Sequence, residues 1–281
     1  MSSATIASRR GRRRSSALGN DLRRFWNLTW TLAVTEFKVR FFGSALGYLW
    51  SLMKPLLQFA VLYLVFTEIV RIGGDVKNYP VYLLTAIMLW TYFAETTSGA
   101  VQSLVNQEGL LRKIRFPRMV VPLSISLVSL FNLGMNMIAV FVFMAISQIE
   151  VTWGFLWLPV LVLYMVILST GTAMLLSALY VRYRDIGPIW DVTLQLLFYA
   201  SPIIYVLTAI PEEYQRILAA NPIAIVMTQM RHAIIDPEAP DIVEAIGAAP
   251  RLLIPAAITV IVCTLGWIVF NREAPRIAEN L

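Results

Sequence analysis

The chain has one cysteine, Cys263, and one histidine, His232, in its 281 residues. A lone cysteine forms no disulfide framework, and a lone histidine excludes a His-built metal cluster, so no metal site is expected. Charge is scarce too: only 14% of the residues are Asp, Glu, Lys or Arg. No G-x-x-x-x-G-K-[ST] sequence occurs. The chain therefore lacks the glycine-rich loop and lysine that cradle ATP phosphates, and any energy source must be supplied from outside it. An enzyme with its own nucleotide site is not expected, nor a cofactor bound by this chain.

What is abundant is apolar sequence. Hydrophobic residues make up 58% of the chain, and its mean hydropathy is +0.68. A soluble domain carries a smaller apolar fraction, so the class is an all-α polytopic membrane protein. Crossing the hydrocarbon core takes about 20 helical residues. Six runs answer that need: Leu46–Val70, Pro80–Val105, Met119–Gln148, Phe155–Val181, Pro188–Val206 and Leu252–Phe270. The third is longer than needed, as expected of a tilted or projecting helix.

Charge sets the expected orientation. Of the 23 Lys and Arg, only Arg71, Lys77, Arg216, Arg231 and Arg251 fall on one side of these spans. The positive-inside rule places the other side, with both termini, in the cytoplasm, and an even number of spans agrees. The run RRGRRRSS at Arg9–Ser16 is followed by no signal-peptide core. Residues 1–20 read as a disordered basic cytoplasmic tail touching anionic membrane lipid, in preference to nucleic acid. Residues 21–42 form an amphipathic interface helix in which Leu22, Phe25, Trp26, Thr29, Leu32, Ala33 and Phe37 recur at helical spacing. Residues 43–270 make the six-span transmembrane domain, and 271–281 a cytoplasmic tail.

Two links on the basic side are candidate contacts for a soluble partner. In NQEGLLRKIRFP (Asn106–Pro117), Leu110, Leu111 and Ile114 form one apolar ridge flanked by Arg112, Lys113 and Arg115. Such a short helix inserts its ridge into a groove while its cations steer and fix register. The second link, Val181–Pro188, carries Arg182, Tyr183, Arg184 and Asp185. On the opposite side, Ser201–Pro250 holds apolar pieces too short to cross, broken by Pro202, Pro211 and Pro222. It reads as short re-entrant helices, a candidate outer gate.

Glu95 lies inside the second run, where an ionised carboxylate costs about 2.5–3.5 kcal/mol on insertion scales. It must face protein or a wet cavity. A substrate contact is the sharper reading. A structural hydrogen bond to Thr, Ser or Arg is the plainer one, favoured because no second acid or histidine stands near for a proton relay. Most tryptophans sit near span ends, as an interfacial belt requires. Tyr63, Tyr92 and Phe93 are candidates to line a lumen.

These residues together resemble the permease subunits of type-2 ABC exporters for polysaccharides and lipid-linked O-antigen or teichoic-acid-type glycans. The likeness runs through Leu49-Trp50 with Pro55–Leu57, then Trp90, Tyr92-Phe93 and Glu95, then Leu111–Arg118 and Pro122. It continues through Arg182–Asp185, the S-P-I-x-Y break at Ser201–Tyr205, and Asn221-Pro222 with Arg231. It spans about residues 20 to 270. Met119 stands where the pattern expects an acidic residue after F-P-R.

The resemblance implies a bacterial inner-membrane homodimer, each copy bound to a cytoplasmic ATPase subunit that carries ATP and Mg. Gln107, Glu108, Leu110, Leu111, Lys113, Ile114 and Arg115 would form the main coupling helix. Arg182, Arg184 and Asp185 would form the second. The substrate would be a polyprenyl-diphosphate-linked glycan, moved through a channel at the dimer interface past Tyr63, Tyr92, Phe93 and Glu95. Ser201, Pro202, Tyr205, Asn221, Pro222 and Arg231 would guard the exit. A secondary transporter of a smaller amphipathic solute is the alternative, but it needs midplane ion chemistry that a single acid does not supply. A membrane-embedded enzyme needs clustered acids or histidines at one face, and His232 stands alone.

Overall fold

The computed structural model describes residues 22–42, 47–71, 76–107, 109 and 117–273. Among them the chain is all-helical, without strands. The helices are α1 (Leu22–Phe42), α2 (Gly47–Tyr63), α3 (Tyr79–Val101), α4 (Ser103–Asn106), α5 (Val120–Ile146), α6 (Trp157–Arg182), α7 (Ile186–Tyr199), α8 (Glu212–Leu218), α9 (Pro222–Met230), α10 (Ile242–Ile246) and α11 (Leu253–Glu273). The basic tail, most of the Asn106–Pro117 link and the end of the chain lie outside the described residues.

Four helical stretches are long and apolar enough to cross a membrane: Gly47–Ile69, Val120–Ile146, Trp153–Arg182 and Ala249–Glu273. They coincide closely with the first, third, fourth and sixth runs read from the sequence. The second run is α3, whose 23 residues give it a length of about 35 Å at 1.5 Å per residue. It is the core of the bundle, with Val81, Leu83, Leu84, Ala86 and Ile87 wholly inaccessible between its neighbours. A helix surrounded by protein need not be apolar all round, so α3 carries Thr85, Thr96 and Thr97 without facing them to lipid.

The fifth run differs more from expectation. The helix read as reaching Val206 stops at Tyr199, and α7 has 14 residues. That is about 21 Å, short of the ~30 Å hydrocarbon core. The reason is local: Pro202 has no N–H to donate into another turn, and its ring excludes the helical continuation.

α1 docks on the bundle through Phe25, Thr29 and Ala33, at i, i+4 and i+8, all buried. The aromatic face read from the sequence is therefore split. Phe25 packs against the α5–α6 region, and Trp30 meets the Phe131 ring edge-on at 5.3 Å. Trp26 is exposed. α2 is peripheral: only Pro55 and Phe59 are buried, and Trp50, Met53, Leu57, Val61 and Leu64 form one exposed apolar stripe.

α5 turns Ser124, Ser126, Ser129, Asn132 and Asn136 inward. Small and polar residues let helices approach closely and bond across the gap where lipid offers no hydrophobic drive. Ser126 Oγ lies 3.2 Å from the Tyr92 hydroxyl and 2.9 Å from Thr170 Oγ1. Among the described residues, α6 and α11 share the most extensive helix–helix contact. There Gly171 and Gly266 bring the two backbones together, and Thr259 bonds Tyr164 at 2.7 Å.

Between α7 and α11 the chain folds into α8, α9 and α10 joined by tight turns. Asn221 caps α9 by accepting the Ile223 N–H, with Pro222 at the first helical position. Asp241 and Glu244 form a reciprocal capping box on α10. Ile223, Val226, Met227 and Met230 of α9 join the main core against α3 and α6, while Leu207, Ile242 and Ile246 make a small satellite core.

Candidate functional site

Two polar constellations stand out, one at each end of α3. At the Asn106 end, Glu95 is the hub. Arg40 of α1 donates to its Oε1 at 3.2 Å, and Asn132 of α5 donates to Oε2 at 2.9 Å. The Asn132 carbonyl in turn accepts from Ser51 of α2 at 3.3 Å. One carboxylate thus ties four helices. Glu95 is 22% exposed and Arg40 48%, so the ion pair opens to one side while Asn132 stays buried. A second tie joins α1 to the same end, where the Gln107 amide donates to the Glu36 carboxylate. Burial pushes the Glu36 carboxyl above its ordinary range, partly offset by that bond.

A cleft of about 720 Å³ opens beside the hub between α1, α2 and α3. Arg40, Trp50, Lys54, Gln58, Trp90 and Glu95 are among its walls. Tyr63 lies farther along α2, stacked on Phe59 at 5.7 Å. Tyr92 and Phe93 are core residues. Tyr92 is 2% exposed, and Phe93 packs between the Trp90 and Trp190 rings at 5.8 and 6.3 Å.

Of the two candidate coupling segments, Gln107 is described, whereas Glu108, Leu110, Leu111, Lys113, Ile114 and Arg115 lie outside the described residues. Arg182, Arg184 and Asp185 sit exposed in the turn between α6 and α7. Their guanidinium groups rest on aromatic rings, Arg182 over Tyr183 at 5.4 Å and Arg184 over Tyr180 at 5.1 Å.

At the Asn78 end the candidate gate residues converge. Asn221 donates to Ser201 Oγ at 2.8 Å and to the Ala200 carbonyl at 3.3 Å. The Tyr82 hydroxyl donates to the Pro202 carbonyl and lies 3.1 Å from the Tyr205 carbonyl. Tyr79 donates to the Ile204 carbonyl at 2.6 Å, and the Tyr205 hydroxyl to Tyr199 at 2.8 Å. The S-P-I-x-Y break is thus pinned to α3 by two tyrosines one helical turn apart. Arg231 pairs with Asp236 at 3.5 Å, and Lys77 reaches Glu238 at 3.1 Å. The Glu238 bond and charge raise the Lys77 ammonium above its usual range.

The sequence reading missed Arg40, Asn132, Tyr79 and Tyr82. Tyr79 and Tyr82 had a usable signal, since i, i+3 spacing puts them on one helix face. Asn132 was a polar residue in an apolar run, but nothing local named its partner. Replacing Tyr82 by Phe is expected to leave the Pro202 carbonyl of the break without its donor, at about 1–3 kcal/mol. A thermal midpoint in detergent, with faster proteolysis across residues 207–221, checks this. Tyr79→Phe, which removes the donor to the Ile204 carbonyl, should lose a similar amount.

An all-helical bundle with four helices long and apolar enough to cross a membrane and polar interior ties is the architecture of a polytopic membrane protein. Residues 27–235 match the ABC-2 type transporter family, and the chain belongs to it. Among named relatives, it is 29% identical over 267 residues to the O-antigen export system permease protein RfbA of Myxococcus xanthus, covering 94% of this chain and 99% of that one. It is 30% identical over 200 residues to the RfbA permease of Klebsiella pneumoniae, covering 70% and 75%. The polysialic acid transport protein KpsM of Escherichia coli is 23% identical over 205 residues, covering 72% and 79%.

Proposed function

We propose that this chain is the permease subunit of an ATP-driven exporter that carries a lipid-linked polysaccharide or cell-wall glycan precursor outward across the cytoplasmic membrane. The observation that carries the reading is the likeness to an O-antigen export permease along nearly the whole of both chains. α3, and α7 together with the turn to Val206, complete a six-span domain with both termini in the cytoplasm. Two copies pair, and the exposed apolar stripe of α2 supports a channel at their interface, with Tyr63 and Glu95 facing it and Tyr92 and Phe93 forming the wall behind. Ser201–Pro250 makes the re-entrant outer gate held by Tyr79 and Tyr82.

The ATPase, with its ATP and Mg, is a separate cytoplasmic subunit in a two-plus-two assembly. It engages Gln107–Arg115 as the main coupling helix and the exposed Arg182–Asp185 turn as the second. The Gln107–Glu36 and Arg40–Glu95 ties support a route by which motion of the coupling helix reaches α1 and the inner end of α3 together.

Gentle purification of the tagged chain from its host, with native mass measurement, tests this. An ATPase subunit at equal stoichiometry is expected; a lone monomer or homodimer under several mild conditions would overturn it. Lys113→Glu or Arg115→Glu should lower glycan-coupled ATP hydrolysis severalfold with normal membrane insertion. Full activity in both variants would remove this link from the coupling role.

A further inference from the structure

From Met119 to Val181 the only Asp, Glu, Lys or Arg is Glu150. That stretch is α5, α6 and the residues that join them. α5 has 27 residues and α6 has 26, so each is about 40 Å long. A bilayer is about 30 Å thick in its hydrocarbon and about 40–45 Å with its headgroups. Arg118 and Arg182 mark one end of the helix pair at one membrane face. The joining residues then lie in the headgroup layer of the opposite face, not in the water beyond it.

This corner has two faces. Ile146, Val151, Trp153, Leu156 and Trp157 are exposed, Trp153 to 88% and Val151 to 81%. Ile149, Phe155 and Leu158 are half-buried against the main core. Gly154 lies against the backbone of the turn Arg231–Ile235, where a Cβ would overlap the Ala233 carbonyl oxygen. That turn is wide, with the Asp236 N–H donating to the Arg231 carbonyl at 2.8 Å. Asn78, at the head of α3, donates to the Ile235 carbonyl at 3.4 Å. The turn is therefore held both by α3 and by the Trp153–Leu156 corner.

We propose that residues 146–157 are a lipid anchor. Val151, Trp153, Leu156 and Trp157 insert among the headgroups and upper acyl chains of the leaflet at the Asn78 end, and Gly154 passes that fixed height to the turn Arg231–Ile235. Indole suits this layer, being apolar across its ring with one N–H for a headgroup or water. Glu150 needs only the aqueous edge of the layer, and its side chain is exposed. The depth set by the two helices makes lipid the occupant, in preference to a second copy of the chain. The inference concerns lipid contact and not cargo, so it stands apart from the export reading. On the topology proposed above the leaflet is the outer one, and the bilayer sets the height at which the gate segment rests.

The test uses the full chain in phosphatidylcholine nanodiscs. In a Cys263→Ala background, Trp153→Cys carries a thiol-linked nitrobenzoxadiazole dye. The quenchers are lipids with a nitroxide high or deep on the acyl chain, and aqueous iodide. The high nitroxide is expected to quench most, and iodide far less than it quenches the same dye on Asp185→Cys in the exposed turn after α6. Iodide reaching position 153 as freely as 185 would overturn the anchor. A dye that neither lipid nor iodide reaches would overturn it too, because protein then covers the corner. The transmitted height is read by hydrogen exchange at amides 231–236. Trp153→Asp is expected to speed exchange there severalfold and Trp153→Tyr to leave it near the parent, with amides 126–136 of α5 unchanged in both. Trp153 is almost wholly exposed, so its replacement removes little packing within the chain. Gly154→Ala should speed the same amides by displacing the Ala233 carbonyl. Exchange like the parent's at 231–236 in either Trp153→Asp or Gly154→Ala would overturn the coupling.

Discussion

Glu95→Ala is expected to destabilise the bundle by about 2 kcal/mol and to free α1 from α3, whereas Glu95→Gln stays close to the parent. The two contacts of Glu95 differ in worth. Its pair with Arg40 is half open to solvent, and such pairs contribute about 0–1 kcal/mol. Its bond from Asn132 is buried, and an orphaned amide donor there costs about 1–3 kcal/mol. The Asn132 bond therefore dominates, and glutamine keeps an acceptor for it. Thermal unfolding in detergent, with a cysteine crosslink between α1 and α3 as a local readout, distinguishes the two variants. If Glu95→Gln falls as far as Glu95→Ala, the charge and not the buried hydrogen bond holds this hub.

Gly266→Val is expected to destabilise the contact between α6 and α11. A Cβ at position 266 overlaps the Gly171 carbonyl oxygen, which is backbone and cannot rotate away. A Cβ at 171 would stand 2.9 Å from Cys263 Cα and 2.6 Å from its sulfur. Either substitution must separate α6 from α11, and overpacking of this kind costs typically about 1–3 kcal/mol and occasionally more. Because both glycines serve one contact, Gly171→Ala with Gly266→Val should cost little more than Gly266→Val alone. Gly134 provides the control. It lies within α5 with open space at its Cβ, so Gly134→Ala should not destabilise. Monodisperse yield and thermal midpoint check the series, and additive losses in the double variant would mean the two glycines act at separate contacts.

Both expectations rest on contacts between segments far apart in sequence, and that separates what could be read in the chain from what could not. The four stretches long and apolar enough to cross a membrane were legible to within a few residues: the run Met119–Gln148 became Val120–Ile146, and Leu252–Phe270 became Leu253–Glu273. An apolar run bounded by charge is a one-dimensional property. α1 was legible as a helix from its periodicity, but the face given to protein was not, since Phe25 and Trp26 are equally aromatic and only the position of α5 and α6 tells them apart. The Ser201–Tyr205 break was visible through Pro202, while its anchors Tyr79 and Tyr82 read as ordinary aromatics of a span. Glu95 demanded a partner by its cost, yet Arg40 and Asn132 lie 55 and 37 residues away.

The sequence alone determined the class of this protein, because the length and hydropathy of an apolar run are local properties. Which helix is central, which carboxylate finds which cation, and where a cleft stays open were decided only by the tertiary structure. Those outcomes depend on how closely helix faces approach, as at Gly171 and Gly266, and no local pattern encodes that distance.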